Sequence, residues 1–528
     1  MKQKSWIPAV LVLLVVLFTQ CKREEPTSWD PHILGPVAFG RVTLADIVTD
    51  SLLSADQNGL WHLIFHENLT DFEIDSLVEI PDTLIEKVFD VPLLGGPFTL
   101  PNGTALIDEE ENNLINVNDA QLKEVIMKSG KLRYKLKSYI NGYLACVYDL
   151  PGVTYNGVGT VIQTTTLPSV GEIPFVYEGE IDLADYHLDM TGISGFSSNR
   201  IYSHLTIATS VDSPQQAVVY GDDYVTIELE FIDPVVYYAR GYFGQHNYDL
   251  DQTIEFGEDF NMPTGALNLN GTTMSLHVEN NVGADLELDF SELVAQNSYN
   301  SSSVYLNHAS LFEPIHLTRA FDNNGVVTPD VYDVTLNAQN SNIDDFIENL
   351  PDALHMIANV KINPLGDVSD GADFIYTENA LNAEMEIDIP LNIGMSNLTL
   401  RDTLVIAEDL ELTADGKFVL YVTNTFPFSA TLNAYFSAEG NTSNISFVSE
   451  QTIAAASETG IAGQTVAAHS MLIIPASQSI IDVFNPENSL VIEVVFNTPE
   501  YPQLVGLYQN YYMDFKLVAD GEVQVEFR

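Results

Sequence analysis

Four stretches of this chain carry residue types at spacings that could do chemistry. Glu180, Asp182 and Asp185 follow one another within Gly179–Asp185. On a strand, alternate side chains share a face, so two of these carboxylates could approach the separation of about 5 Å used by a retaining glycosidase. His62 and His66, with Glu67 beside them, have a His-x3-His spacing that on a helix would turn two imidazoles toward one zinc ion. Lys131, Arg133, Lys135 and Lys137 alternate with Leu132, Tyr134 and Leu136. A strand here would present four cations on one face, able to meet a lipopolysaccharide phosphate or a uronic-acid glycan. Asp322-Asn323-Asn324-Gly325 opens in the manner of a calcium loop.

Each stretch also has a plainer reading. Gly179-Glu180-Ile181-Asp182-Leu183-Ala184-Asp185 resembles the catalytic strand of the laminarinase-type glycoside hydrolases, where Glu-x-Asp-x-x-Glu supplies nucleophile, helper and acid. Here the third position is Asp185, and a second Glu386-Ile387-Asp388-Ile389 has no acid behind it. In a chain with 74 Asp and Glu, such a strand is expected to be a solvated face, so no catalytic residue is assigned and the protein is read as a non-enzyme. The two histidines sit in Leu60–Phe65, an apolar run behind Asn58-Gly59 that reads as a strand, which makes them structural and leaves no metal ligand. The four cations are expected to pair with acidic strands next door, with ligand contact as the alternative. No cofactor is expected: carboxylates suit calcium, but Asp322–Gly325 is only a fragment of the motif and reads as a turn. There is no Gly-x-Ser-x-Gly elbow, no His-Glu-x-x-His and no phosphate loop.

The elements that would position these groups are strands. Asn-Gly occurs at 58, 102, 141, 156, 270 and 324, and Asp-Gly at 370, 415 and 520, mostly between alternating runs, where such dipeptides favour primed hairpin turns. Phe515 and Leu517 before Asp520-Gly521, and Val523, Val525 and Phe527 after it, read as a C-terminal hairpin. Helices are few: Thr43–Leu53 with a capping-box start, two short ones within Ile343–Asn359 broken near Pro351, and Ser477–Phe484. Three segments beginning at Gly130, Gly271 and Gly416 share a turn, an alternating strand, a Ser or Asn (Ser138, Asn280, Asn424) and a second alternating strand. Their near-equal spacing predicts three related antiparallel β-sandwich units, covering 28–172, 173–325 and 326–528. The third copy, Val422-Thr-Asn424-Thr-Phe426-Pro427-Phe428, resembles the Asn-Pro-aromatic strand junction of the water-stress and late-embryogenesis β-sandwich domains. With its proline displaced by two positions, it implies fold alone. The expected class is mainly β, in tandem sandwich-like units with a few short helices.

Location is written at the N-terminus. Lys2 and Lys4 precede an apolar run from Ile7 to Phe18, too short to span a bilayer, and Cys21 follows it. This resembles the signal and lipobox of bacterial lipoproteins, which implies acylation of Cys21, a signal at 1–21 and a tether at 22–27. Lys22-Arg23-Glu24-Glu25 resembles the export signal of Bacteroidota surface lipoproteins. Ser28-Trp29-Asp30-Pro31 through Ala38 resembles the mature N-terminus of a group of uncharacterised Bacteroidota outer-membrane lipoproteins. The implied place is the outer membrane, lipid-anchored and facing outward. The role read for the chain is adhesion, scaffolding or ligand capture, with an extracellular glycan or protein as partner. A formal charge of −54 makes nucleic acid a poor partner. The rival roles are a carbohydrate-active hydrolase and a hydrophobe carrier. After removal of the signal, Cys146 would be the only cysteine besides Cys21, so no disulfide within the body is expected.

Overall fold

The computed structural model describes residues 32–46, 52–69, 77–91, 95–117, 119–164, 174–255, 264–405, 413–438, 445–476 and 488–524. The signal, Cys21, the tether and Ser477–Phe484 lie outside them. The described residues form antiparallel sheets whose strands fall into three groups.

In the first group one sheet runs in the order β3 (Thr83–Asp90), β10 (Tyr224–Tyr242), β5 (Gln121–Ser138) and β8 (Phe175–Asp182). The other runs β4 (Ala105–Leu114), β9 (Arg200–Thr209), β6 (Leu144–Tyr155) and β7 (Val158–Thr164). A short strand, His187–Asp189, pairs with both β5 and β6 and joins the two sheets along one side. In the second group β2 (Trp61–Asn68), β18 (Leu381–Pro390), β13 (Thr273–Asn280) and β16 (Asp330–Leu336) make one sheet. Its companion is β11 (His246–Glu255), β17 (Ala353–Ile362), β14 (Leu286–Asn297) and β15 (Ser302–Tyr305). In the third, β1 (His32–Val42), β25 (Met513–Gln524), β20 (Thr413–Asn424) and β23 (Ala468–Ala476) form one sheet. The other is β12 (Thr264–Asn268), β19 (Asn392–Val405), β24 (Asn488–Asn497), β21 (Ser429–Ala438) and β22 (Ile445–Ile453).

Why these residues form strands is visible in their burial. β9 alternates without a break, with Ile201, Ser203, Leu205, Ile207 and Thr209 inward, and β13 does the same with Met274, Leu276, Val278 and Asn280. A period of two with one apolar face is satisfied by a sheet packed on another sheet. Rings from different segments meet in that interior, as where Phe428, just before β21, stands edge-on to Phe496 of β24 at 5.5 Å.

The three first-mentioned sheets share one order. A strand from the N-terminal region pairs with the last strand of its group (β3 with β10, β2 with β18, β1 with β25), and that strand pairs with β5, β13 or β20. The N-terminal strands are dealt out in reverse: β1 to the third group, β2 to the second, β3 to the first. Sheets therefore run across residues 172 and 325, since β5 pairs with β8 and β10, and β13 with β16 and β18.

Several local expectations need correction. Asp520-Gly521 makes no turn: β25 passes straight through it, with Gly521 opposite Ile33 on one side and Gly416 on the other. Asp415-Gly416 likewise lies inside β20. Two ladders, one on each flank, outweigh a dipeptide's preference for bending. Asn156-Gly157 and Asn324-Gly325 do close two-residue hairpins, with φ of 52° and 76°, and of 54° and 87°. Of the helices in Ile343–Asn359 the first exists, α1 (Ile343–Glu348). The second is β17, where Leu354, Met356, Ala358, Val360 and Ile362 are buried at every second position. Of Thr43–Leu53 the described part holds one 3-10 turn, Leu44–Asp46, and Leu53 already begins a short strand, Leu53–Ala55.

Candidate functional site

β5 places Lys131, Arg133, Lys135 and Lys137 on the outer face of the first sheet, between acidic residues of β8 and β10. The register sets Arg133 opposite Glu180 and Glu230, and Lys135 opposite Glu178 and Glu228. Lys131 Nζ lies 3.5 Å from Glu180, and Arg133 reaches Glu180 at 3.0 Å and Glu230 at 2.8 Å. Lys135 meets Glu178 at 3.2 Å, and Lys137 pairs with Glu228. The hydrogen bond from Arg133, with the charge of Lys131, holds the Glu180 carboxyl below its ordinary range, and the same bond raises Arg133. The expected ligand-contact strand and the hydrolase-like strand are thus two rails of one ladder. An incoming anion would compete with four carboxylates.

The other two hydrolase-like residues are placed differently. Asp182 Oδ1 accepts the Ala184 amide at 3.0 Å, an Asx turn closing β8. Asp185 has φ of 63° and donates its amide to Met127 O. In the resembled motif Glu180 would be the nucleophile and Asp185 the acid, but Glu180 is already engaged by Arg133 and Lys131, and Asp185 sits in the turn beyond β8 rather than on the strand face beside Glu180.

His62 and His66 lie on β2, a strand. Four residues apart on one face they stand about 13 Å from each other, too far to share an ion. They face the other acidic repeat on β18: His62 Nδ1 is 2.6 Å from Asp388 and His66 Nδ1 is 3.2 Å from Glu386. Among the described residues no group of three or more His, Cys, Asp or Glu is placed to hold a metal ion. At Asp322, Oδ1 accepts the Gly325 amide within the hairpin Phe321–Thr328 and Oδ2 accepts the Tyr376 hydroxyl at 3.2 Å, which ties the hairpin to a neighbouring strand.

Similar cross-strand pairs escaped the sequence reading. His187 meets Glu124 at 2.7 Å, His204 meets Asp108 at 2.6 Å, His277 meets Asp333 at 2.6 Å and His355 meets Asp251 at 2.8 Å. Their hydrogen bonds to carboxylates raise His187 and His277 above 6.5. The partners are 56 to 104 residues apart, so no local motif announces them. Between the two sheets of the second group, Leu250, Val278, Leu288, Phe290, Met356 and Val360 line an apolar pocket of about 30 Å³. That is room for about one water molecule, far short of an acyl chain.

The described residues define a mainly-β protein of antiparallel sheets packed face to face, with paired charges along outer faces. No helix among them is long and apolar enough to cross a membrane. No protein-family model matches the chain, and no curated protein sequence matches it. Among solved structures, a protein from Parabacteroides distasonis ATCC 8503 described as secreted is similar at 13% identity and a TM-score of 0.24, covering 52% of this chain and 89% of its own. The structure of the infectious bursal disease virus Gx strain is similar at 10% identity and a TM-score of 0.14, covering 92% of this chain and 90% of its own. These scores are too low to transfer a function.

Proposed function

We propose that this chain is an outer-membrane lipoprotein, acylated at Cys21 and displayed at the cell surface, with a structural or binding role in adhesion, scaffolding or ligand capture. Its body is read as three related sandwich units, interleaved rather than strung in tandem. The observation that carries this reading is the dealing out of β1, β2 and β3, one to each group. A pull on the anchor enters at β1, which begins eleven residues after Cys21 and is held to β25 by a ladder from His32–Glu522 to Val42–Met513. The next two strands of the same segment then tie in the second and first groups. This suits a body that must bear load or present a surface. Two further observations favour it over a hydrolase or a carrier: Glu180 is locked between cations, and the apolar pocket is too small for a lipid. The ligand would be an extracellular glycan or protein; nucleic acid is disfavoured by charge.

Protease shaving of intact cells tests the proposal, with wild type and Cys21→Ala followed by blot. Cleavage of wild type on whole cells, together with release of the variant into soluble fractions, is the expected result. Protection of wild type until lysis would overturn outward display.

A further inference from the structure

The outer face of the third group's β1-β25-β20-β23 sheet is unlike the charged ladder of the first. Paired positions share a face, so one row crosses the sheet as Phe39, Lys516, Tyr421 and Met471. Phe39 is 83% exposed, Tyr421 48% and Met471 58%. The adjacent row sets Val518 beside Val419, which is buried, and Ile473, which is 40% exposed. On the other side, Arg41 is held by Asp514 at 2.7 and 2.9 Å and lies 3.7 Å over the ring of Tyr512. Lys417 is on the same face, two residues before Val419. In the register Arg41, Lys417 and Lys516 share this face with Asp514 opposite Arg41, Asp520 opposite Lys417 and Asp415 opposite Glu522, so its charges nearly balance in a chain with 20 basic and 74 acidic residues. Exposed aromatic, thioether and aliphatic side chains interspersed with cations match the chemistry of a lipid headgroup layer, where rings and stems enter the interface and cations meet phosphates.

We propose that this face rests on the outer leaflet of the membrane that holds the anchor. The inference rests on the lipid-anchor reading. The chain outside the described residues supplies the second argument: ten residues lie between Cys21 and His32, a reach of at most about 40 Å when fully extended. Of the three groups, the third is therefore the one that the anchor draws to the bilayer. The chain as a whole is strongly acidic and is repelled from an anionic surface, so a face whose charges nearly balance, with exposed apolar side chains among them, is suited to turn toward it. The sheet and the acyl chains then make two contacts with one membrane, and the other groups point outward.

The test uses acylated protein purified from cells fed labelled palmitate and reconstituted into vesicles of phosphatidylethanolamine and phosphatidylglycerol carrying brominated acyl chains. Tyr421→Trp and, as a control on the first group, Val158→Trp are compared for fluorescence quenching above the wild-type background. Labelled protein with several-fold stronger quenching at position 421 than at 158, reduced by adding Met471→Asp, is the expected outcome. Labelled protein with equal, weak quenching at both positions overturns the membrane-facing sheet while leaving the anchor intact. Unlabelled protein overturns the anchor reading, and the inference falls with it.

Discussion

Asn280 and Asn424, 144 positions apart, are held by the same set of hydrogen bonds. Each Oδ1 accepts the amide two residues on, at 2.9 Å from Val282 and 2.8 Å from Phe426. Each Nδ2 donates to the carbonyl four residues on, at 2.9 Å to Ala284 and to Phe428. Each also reaches a distant carbonyl, Thr318 at 2.8 Å and Ala454 at 2.9 Å. Both side chains are fully buried where the chain leaves β13 or β20 for the opposite sheet. Ser138, at the end of β5, is buried too and accepts the Ile140 amide at 3.3 Å.

Removing these amides leaves backbone groups unpaired in the interior. Asn280→Ala and Asn424→Ala should each cost about 2–4 kcal/mol, and Asn→Asp should be no milder because two donated bonds vanish. Ser138→Ala, losing one long bond, should cost about 1 kcal/mol. Urea unfolding of the variants measures this; equal, small losses at all three positions would contradict the proposed role.

The hairpin at Asn156-Gly157 rests on a left-handed backbone. A Cβ added at Gly157 meets nothing within 4 Å, so Gly157→Ala carries backbone strain alone, with φ at 76°. A loss of about 1 kcal/mol is expected in thermal or urea unfolding. No loss would mean that the turn relaxes to another type.

The His187–Glu124 pair makes stability depend on pH. Glu124 accepts the imidazole hydrogen bond and raises His187 above 6.5, while the same bond lowers Glu124 below 4.5. The histidine's contribution is complete below its unfolded value of 6.5 and is lost as pH rises through the raised folded value. The glutamate's is present above 4.5 and lost as pH falls through its lowered one. Wild type should therefore exceed His187→Gln in melting temperature at about pH 5.5 by more than at about pH 9. An unchanged difference would count against the pair.

Glu180 should titrate below 4.5 in carboxyl NMR, and Arg133→Gln should move it upward, since the Arg133 hydrogen bond is the largest cause of the shift. The pair's contribution is present above 4.5 and lost as pH falls through the depressed value. A Glu180 titration at or above 4.5 would count against the pair.

Cys146 is buried, and burial pushes its thiol up to about 12. It should resist an aromatic disulfide reagent at about pH 8 until denaturant is added. Prompt reaction in the native protein would show that β6 opens readily.

The sequence was legible wherever neighbours decide the outcome. Alternation marked β13 and β20 as strands, and Asn156-Gly157 and Asn324-Gly325 marked turns, because a two-residue period and a positive φ are local properties. It misled at Asp520-Gly521 and in 353–359, where pairing partners overrode local preference. The candidate residues were visible as types, but their partners were not: Glu180 with Arg133, and His62 with Asp388 across 326 positions, follow from register alone.

By itself, then, the sequence determined a mainly-β chain with charged outer faces, since side-chain alternation and composition act through each residue's own preference for core or water. Only the tertiary structure decided which strand lies beside which, down to β1 closing against β25 with Arg41 and Asp514 meeting across 473 positions. Such contacts form where the summed burial and hydrogen bonding of whole sheets outweigh the entropy of closing very long loops, and no short stretch of sequence contains both sides of that balance.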